Sequence, residues 1–122
     1  MSSGPTLRGV TIDCPDAKSL ADFYHNLAGW EVTWAQDEFA SLSTGDGSPA
    51  LYLQRVEDYE SPRWPGQQRG QQFHLDFAVD DIPAAEKQAI SLGAARPDFQ
   101  PGEDRWRVLL DPAGHPFCLS QR

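Results

Sequence analysis

Apolar and polar positions along this chain follow two alternating periods, and the same order of periods occurs twice. Residues 7–14 read as a strand, with Leu7, Gly9, Thr11 and Asp13 on one face and Arg8, Val10, Ile12 and Cys14 on the other. Pro15-Asp16 ends it, and the Asp16 carboxylate can accept the free N–H groups of a helix's first turn. Ala17, Leu20, Phe23, Tyr24, Leu27 and Ala28 then recur at helical spacing as one apolar stripe, and Gly29 is a C-terminal stop. Three short strands are predicted over 30–34, 39–42 and 50–55, the last two separated by the turn Thr44-Gly-Asp-Gly-Ser-Pro49.

The second half repeats that order. Residues 73–79 form a predicted strand with His74, Asp76 and Ala78 on one face and Leu75, Phe77 and Val79 on the other. Asp80 or Asp81 caps a helix through Leu92, with Pro83 tolerated in its first turn. Short strands are expected near Ala95, at 105–110 and at 116–120, with Asp111-Pro-Ala-Gly114 turning between the last two. Gly9 of the first copy thus corresponds to His74 of the second. Residues 56–71 carry charges, Pro62, Pro65, Gly66 and Gly70, and read as a linker. The expectation is a single α+β domain with modules at about 6–55 and 72–121, neither able to cover its own apolar surface alone.

Composition narrows the partners. With 18 acidic against 10 basic residues, the formal charge is −8, which repels phosphate backbones, so nucleic acid is not expected as a partner. No apolar run approaches the roughly 20 residues that span a bilayer, and the first residues lack the pattern of a secretion signal. The expectation is a cytoplasmic protein without membrane association. Cys14 and Cys118 lack CxxC spacing and read as core thiols, with an approach across the sheet left open.

Several side chains are candidates for chemistry. His74 can act as acid, base or hydrogen-bond partner near neutral pH, or be tied structurally to Asp76, Asp13 or a carbonyl. Thr11, Asp13, Gln54 and Asp76 lie on strand faces expected to look into one cavity. His115 is expected to order its turn or sit at its rim, and Asp111 to accept backbone N–H bonds there. The chain has four tryptophans. Trp30 and Trp106 are assigned to the core. Trp64, alone in the linker, either packs across a dimer seam or joins Trp34 and Tyr59 as a wall for a flat ligand. The acidic balance favours a neutral or cationic compound over a phosphorylated one.

Three phrases in order carry a resemblance: Phe23-Tyr24 before Leu27-Ala-Gly-Trp30, then His74-Leu-Asp-Phe-Ala-Val-Asp-Asp81, then Asp111-Pro-Ala-Gly-His-Pro-Phe-Cys-Leu119. Together they resemble the glyoxalase, bleomycin-resistance and extradiol-dioxygenase (vicinal-oxygen-chelate) superfamily, and in particular its small bacterial glyoxalase-like proteins. The resemblance implies paired βαβββ modules forming a curved mixed sheet around a cleft, and a homodimer. It also implies where metal ligands would lie in metal-dependent relatives, on the first, fourth, fifth and eighth strands. The matching positions here are Gly9, a position near Tyr52, His74 and Cys118.

Of these, only His74 is an ordinary strong ligand. Gly9 has no side chain, Tyr52 is a poor ligand, and the register could instead present Gln54. Cys118 stands where a carboxylate would be, which changes both preferred metal and geometry. The expectation is therefore a metal-independent site with no cofactor, binding a small organic molecule, with sequestration of an antibiotic or metabolite as its role. His74 is its candidate catalytic residue, and Thr11, Asp13, Trp34, Tyr52, Gln54, Trp64, Asp76 and Cys118 its ligand-binding residues. The alternatives are a metal-free lyase or isomerase using His74 for proton transfer, and a structural or regulatory dimer.

Overall fold

A computed structural model describes residues 7–122 and divides the chain into two compact units, one ending at Tyr59 and one spanning Glu60–Arg122. In the first unit the order is β1 (Gly9–Cys14), α1 (Ala17–Ala28), β2 (Glu31–Ala35), β3 (Phe39–Ser43) and β4 (Ala50–Arg55). The strands form one sheet in the order β1-β4-β3-β2, with β1 and β4 parallel and the other pairs antiparallel. Asp16 caps α1 from its side chain, and Gly29 ends it in the left-handed region at φ 74°. The expected apolar stripe is buried through Tyr24, with Ala21 added to it. α1 packs against β2, β3 and β4.

Pairing register explains which face of this sheet is dry. Ile12 lies beside Leu53, which lies beside Ala40, and Leu51 beside Leu42, all of them buried. Thr11, Tyr52 and Ser41 alternate with them on the opposite face, as do Asp13, Gln54 and Phe39. A bulge between Val32 and Trp34 re-aims β2, so Trp34 pairs with Ser41 and is 54% exposed. Trp30 falls just before β2 and stacks on Tyr24 with ring centroids 6.1 Å apart.

The second unit holds β5 (Leu75–Val79), α2 (Ile82–Ser91), β6 (Trp106–Leu110) and β7 (Pro116–Gln121). Its sheet has the order β5-β7-β6, with β5 and β7 parallel and β6 and β7 antiparallel. Asp81, rather than Asp80, is the cap of α2, accepting from the Ala84 N–H at 3.1 Å. Leu109, Phe117 and Leu119 are buried, and α2 packs on β6 and β7. No helix among the described residues is long and apolar enough to cross a membrane.

Two expectations need correction. The curved mixed sheet around a cleft is replaced by two open sheets of four and three strands, neither closed nor strongly curled. The strand expected near Ala95 is a single bridge, Ala95 to Leu110, so the second unit pairs only three strands. The run from Arg96 to Arg105 contains Pro97, Pro101 and Gly102, which break a ladder before it can propagate.

The turn before β7 is held from inside. Asp111, 3% exposed, accepts the Ala113 N–H at 2.9 Å and the His115 N–H at 3.0 Å. His115 is fully buried against the edge of Phe73 rather than at the turn's rim. Asp111→Ala would leave both buried donors without this carboxylate, and a loss of about 3 kcal/mol is expected in urea unfolding. Asp111→Asn keeps one acceptor oxygen and should recover most of it. An Asp111→Ala protein as stable as the parent would refute this role.

Candidate functional site

Strand periodicity and one pairing register assemble the site in the second unit. His74, immediately before β5, and Asp76 are two residues apart and share a face. The parallel register sets Asp76 beside Cys118 of β7, and the antiparallel register sets Cys118 beside Val108 and Ser120 beside Trp106 of β6. One face of the three-stranded sheet thereby becomes a continuous floor of His74, Asp76, Cys118, Ser120, Val108 and Trp106. That floor lines a cavity of about 460 Å³, whose remaining walls are Trp64, Gln71, Pro101 and Pro116.

The donors on this floor converge. His74 Nε2 lies 3.4 Å from Asp76 Oδ2, and one donor atom each from His74, Asp76 and Cys118 all fall within 4.8 Å of one another. The two side chains of the first pair are 40% and 69% exposed, so access to them is open. Cys118 is part-buried. Its thiol is pushed up to about 11, by desolvation first and then by the charge and hydrogen-bond acceptance of Asp76. At neutral pH Cys118 is therefore a thiol, hydrogen-bonded to Asp76.

This donor set fits a metal ion. Tetrahedral zinc, with bonds of 2.0–2.3 Å, requires donors roughly 3.3–3.8 Å apart. The His74–Asp76 pair already meets that spacing, and Cys118 needs only a small approach. A thiolate beside an imidazole and a carboxylate favours zinc over harder ions. The expectation of a metal-independent site is thereby overturned. Sequence reasoning named Asp76 as a ligand-binding residue, but its spacing alone did not point to a metal; the register sets it beside Cys118, with His74 3.4 Å away.

Of the other candidates, Trp64 reaches the same cavity, its ring 5.6 Å from that of Phe99. Thr11, Asp13, Trp34, Tyr52 and Gln54 lie on the open face of the first unit's sheet and do not line this cavity. Tyr59 does not line it either. Gly9 cannot host a ligand without rearrangement, because a Cβ there would overlap the Tyr52 ring and lie 2.8 Å from the Ala50 carbonyl oxygen. Neither cysteine is in a disulfide; Cys14 is buried in the first unit, where its thiol donates to the Gln54 carbonyl.

Sequence reasoning missed Trp106, Pro101 and Gln71. Trp106 was assigned to the core, yet the period-2 pattern already set it on the face opposite Arg107 and Leu109, and only the pairing with Ser120 turns that face into the cavity floor. Gln100 could not have been found from pattern at all. Its side-chain amide donates to the Val108 carbonyl at 3.0 Å and accepts the Val108 N–H at 2.9 Å, acting as a one-residue strand that clips the 97–101 loop to β6.

Comparison with known proteins gives a consistent result. A family profile, the glyoxalase-like domain, matches residues 9–120. The fold is similar to a glyoxalase/bleomycin resistance protein/dioxygenase family enzyme from Burkholderia phytofirmans PsJN (TM-score 0.70, 23% identity, covering 96% of this chain and 98% of that one). It is also similar to the fosfomycin resistance protein FosX from Mesorhizobium loti (TM-score 0.67, 16% identity, 98% and 92% covered). A mutant FosX from Listeria monocytogenes, solved with Mn(II) and a dihydroxypropylphosphonic acid, aligns with a TM-score of 0.69 at 15% identity, covering 98% and 93%. No curated protein matches the sequence.

Proposed function

Because the chain belongs to the glyoxalase-like domain family, we propose that its second unit carries a metal-dependent site for a small organic molecule, with His74, Asp76 and Cys118 holding a zinc ion. The observation that carries this reading is the convergence of three unlike donors within 4.8 Å on the floor of a cavity of drug-sized volume. Three protein donors are the number used by zinc sites that keep a position for water or substrate. A bound zinc ion would supply Lewis acidity to an oxygen of the organic molecule.

The chain's own residues do the rest. Asp76 accepts from the Cys118 thiol, which keeps the two side chains turned toward each other. His74, beside Asp76, would supply the imidazole of the set. Val108, Pro116 and Trp106 supply an apolar floor and wall beside it. The donor set differs from one suited to Mn(II), the ion in the Listeria FosX complex, because a thiolate selects softer ions than a carboxylate does. A homodimer belongs to the same reading, supported by exposed Trp34 and Phe39 on the open face of the first sheet.

Native mass spectrometry of the full chain with one equivalent of zinc chloride tests both. One zinc per chain is expected, lost in His74→Ala, with dimers as the main species. A chain that takes up no zinc, or takes it up equally well in His74→Ala, would sink the metal reading.

A further inference from the structure

The cavity walls carry information that the donor set does not. Trp106 and Val108 form its apolar floor, and Trp64, paired with Phe99, stands as a wall. Gln100 clips the loop bearing Phe99 and Pro101 to β6 through both its amide atoms, so this wall has a fixed base. Trp106 is fixed as well. Its indole packs so closely on the Gly102 backbone that a Cβ there would overlap the ring.

Charge decides what such walls accept. Among the described residues, no lysine or arginine lines the cavity. Arg105 stands 5.3 Å from the centroid of the Trp106 ring, engaged with the indole, and is not a lining residue. A phosphonate or phosphate ester entering here would give up its hydration without a cation to replace it, and would meet the Asp76 carboxylate. A bound zinc ion would cancel that negative charge and offer a position to anionic oxygens, so the discrimination is a property of the metal-free cavity. An uncharged ring loses only apolar hydration and gains contact with indole surface.

We infer that the cavity takes an uncharged, planar ring molecule bearing a hydroxyl or carbonyl oxygen, and discriminates against phosphonates and phosphate esters. This separates it in ligand chemistry from the FosX proteins whose fold it shares. The inference rests on the reading that this cavity binds a small organic molecule, but it does not require the metal.

The test compares one ring with two charges. Isothermal titration of the full chain in EDTA with 2-naphthol and with 2-naphthyl phosphate should show naphthol binding at least about 30-fold more tightly. Trp64→Ala and Trp106→Ala should each weaken naphthol binding by about tenfold, while zinc stoichiometry stays that of the parent. Trp64 lies outside the sheet, so Trp64→Ala keeps the test decisive if Trp106→Ala fails to fold. Equal or tighter binding of the phosphate ester, indifference of naphthol affinity to Trp64→Ala, or no naphthol binding would each overturn the inference. Absence of zinc binding with the naphthol preference intact would leave it standing and remove the metal reading alone.

Discussion

Replacing Cys118 with serine is expected to lower zinc affinity by about a hundredfold or more at neutral pH. A hydroxyl does not ionise under conditions where zinc strips the proton from a thiol, so the variant keeps only the imidazole and the carboxylate. The pH dependence offers a sharper signature than the magnitude. In the parent, Cys118 is held protonated up to about pH 11 by burial and by Asp76. Zinc binding must therefore expel that proton throughout the range below it. Each unit rise in pH should strengthen binding by about tenfold from this thiol alone, and each unit fall should weaken it equally. Cys118→Ser should lose that slope. Competition with a chromophoric chelator between pH 6 and 8 measures it, and identical slopes in parent and variant would show that the thiol is not a ligand.

A histidine placed at Gly9 is the second large effect, and it acts on stability. The position corresponds to His74 in the repeated pattern, so a sequence argument alone would see a ligand waiting to be restored. Instead, a Cβ at Gly9 overlaps the Tyr52 ring and presses on the Ala50 carbonyl across the β1–β4 pair. Gly9→His is expected to cost about 3 kcal/mol of folding free energy by overpacking. In a domain of this length that lowers Tm by about 10 °C. In a Tyr52→Ala background the cost should fall by about half, because the ring is gone while the carbonyl remains. Calorimetry on the four proteins of the cycle decides it. An unchanged Tm for Gly9→His would mean that Tyr52 swings away freely and that the position is open to a ligand.

These two expectations show where reading the sequence stopped. The pattern at Gly9 correctly identified an absent side chain, but the reason a ligand does not fit there is the Tyr52 ring on the neighbouring strand. At Cys118 the pattern identified a thiol in place of a carboxylate and took it as evidence against a metal. The pairing of Asp76 with Cys118 sets a carboxylate from β5 beside it. Likewise, Thr11, Tyr52 and Gln54 do share a face with one another, as their alternation requires, yet that face is not the floor of the cavity at His74.

The sequence by itself determined what depends on neighbours along the chain. Asp16 and Asp81 as caps, Gly29 as a stop, the faces of β1 and β5, and the Asp111 turn all follow from contacts within a few residues, where backbone geometry leaves few choices. Only the tertiary structure decided what depends on partners across the sheet. The register joining β5, β7 and β6, the absence of strong curl, and the single bridge at Ala95 arise from pairings between distant segments. A shift of one residue would move Cys118 to the opposite face of the sheet. The convergence of His74, Asp76 and Cys118 and the place of Trp106 on the cavity floor depend on that register, because side-chain alternation assigns a residue to a face but not to a neighbour.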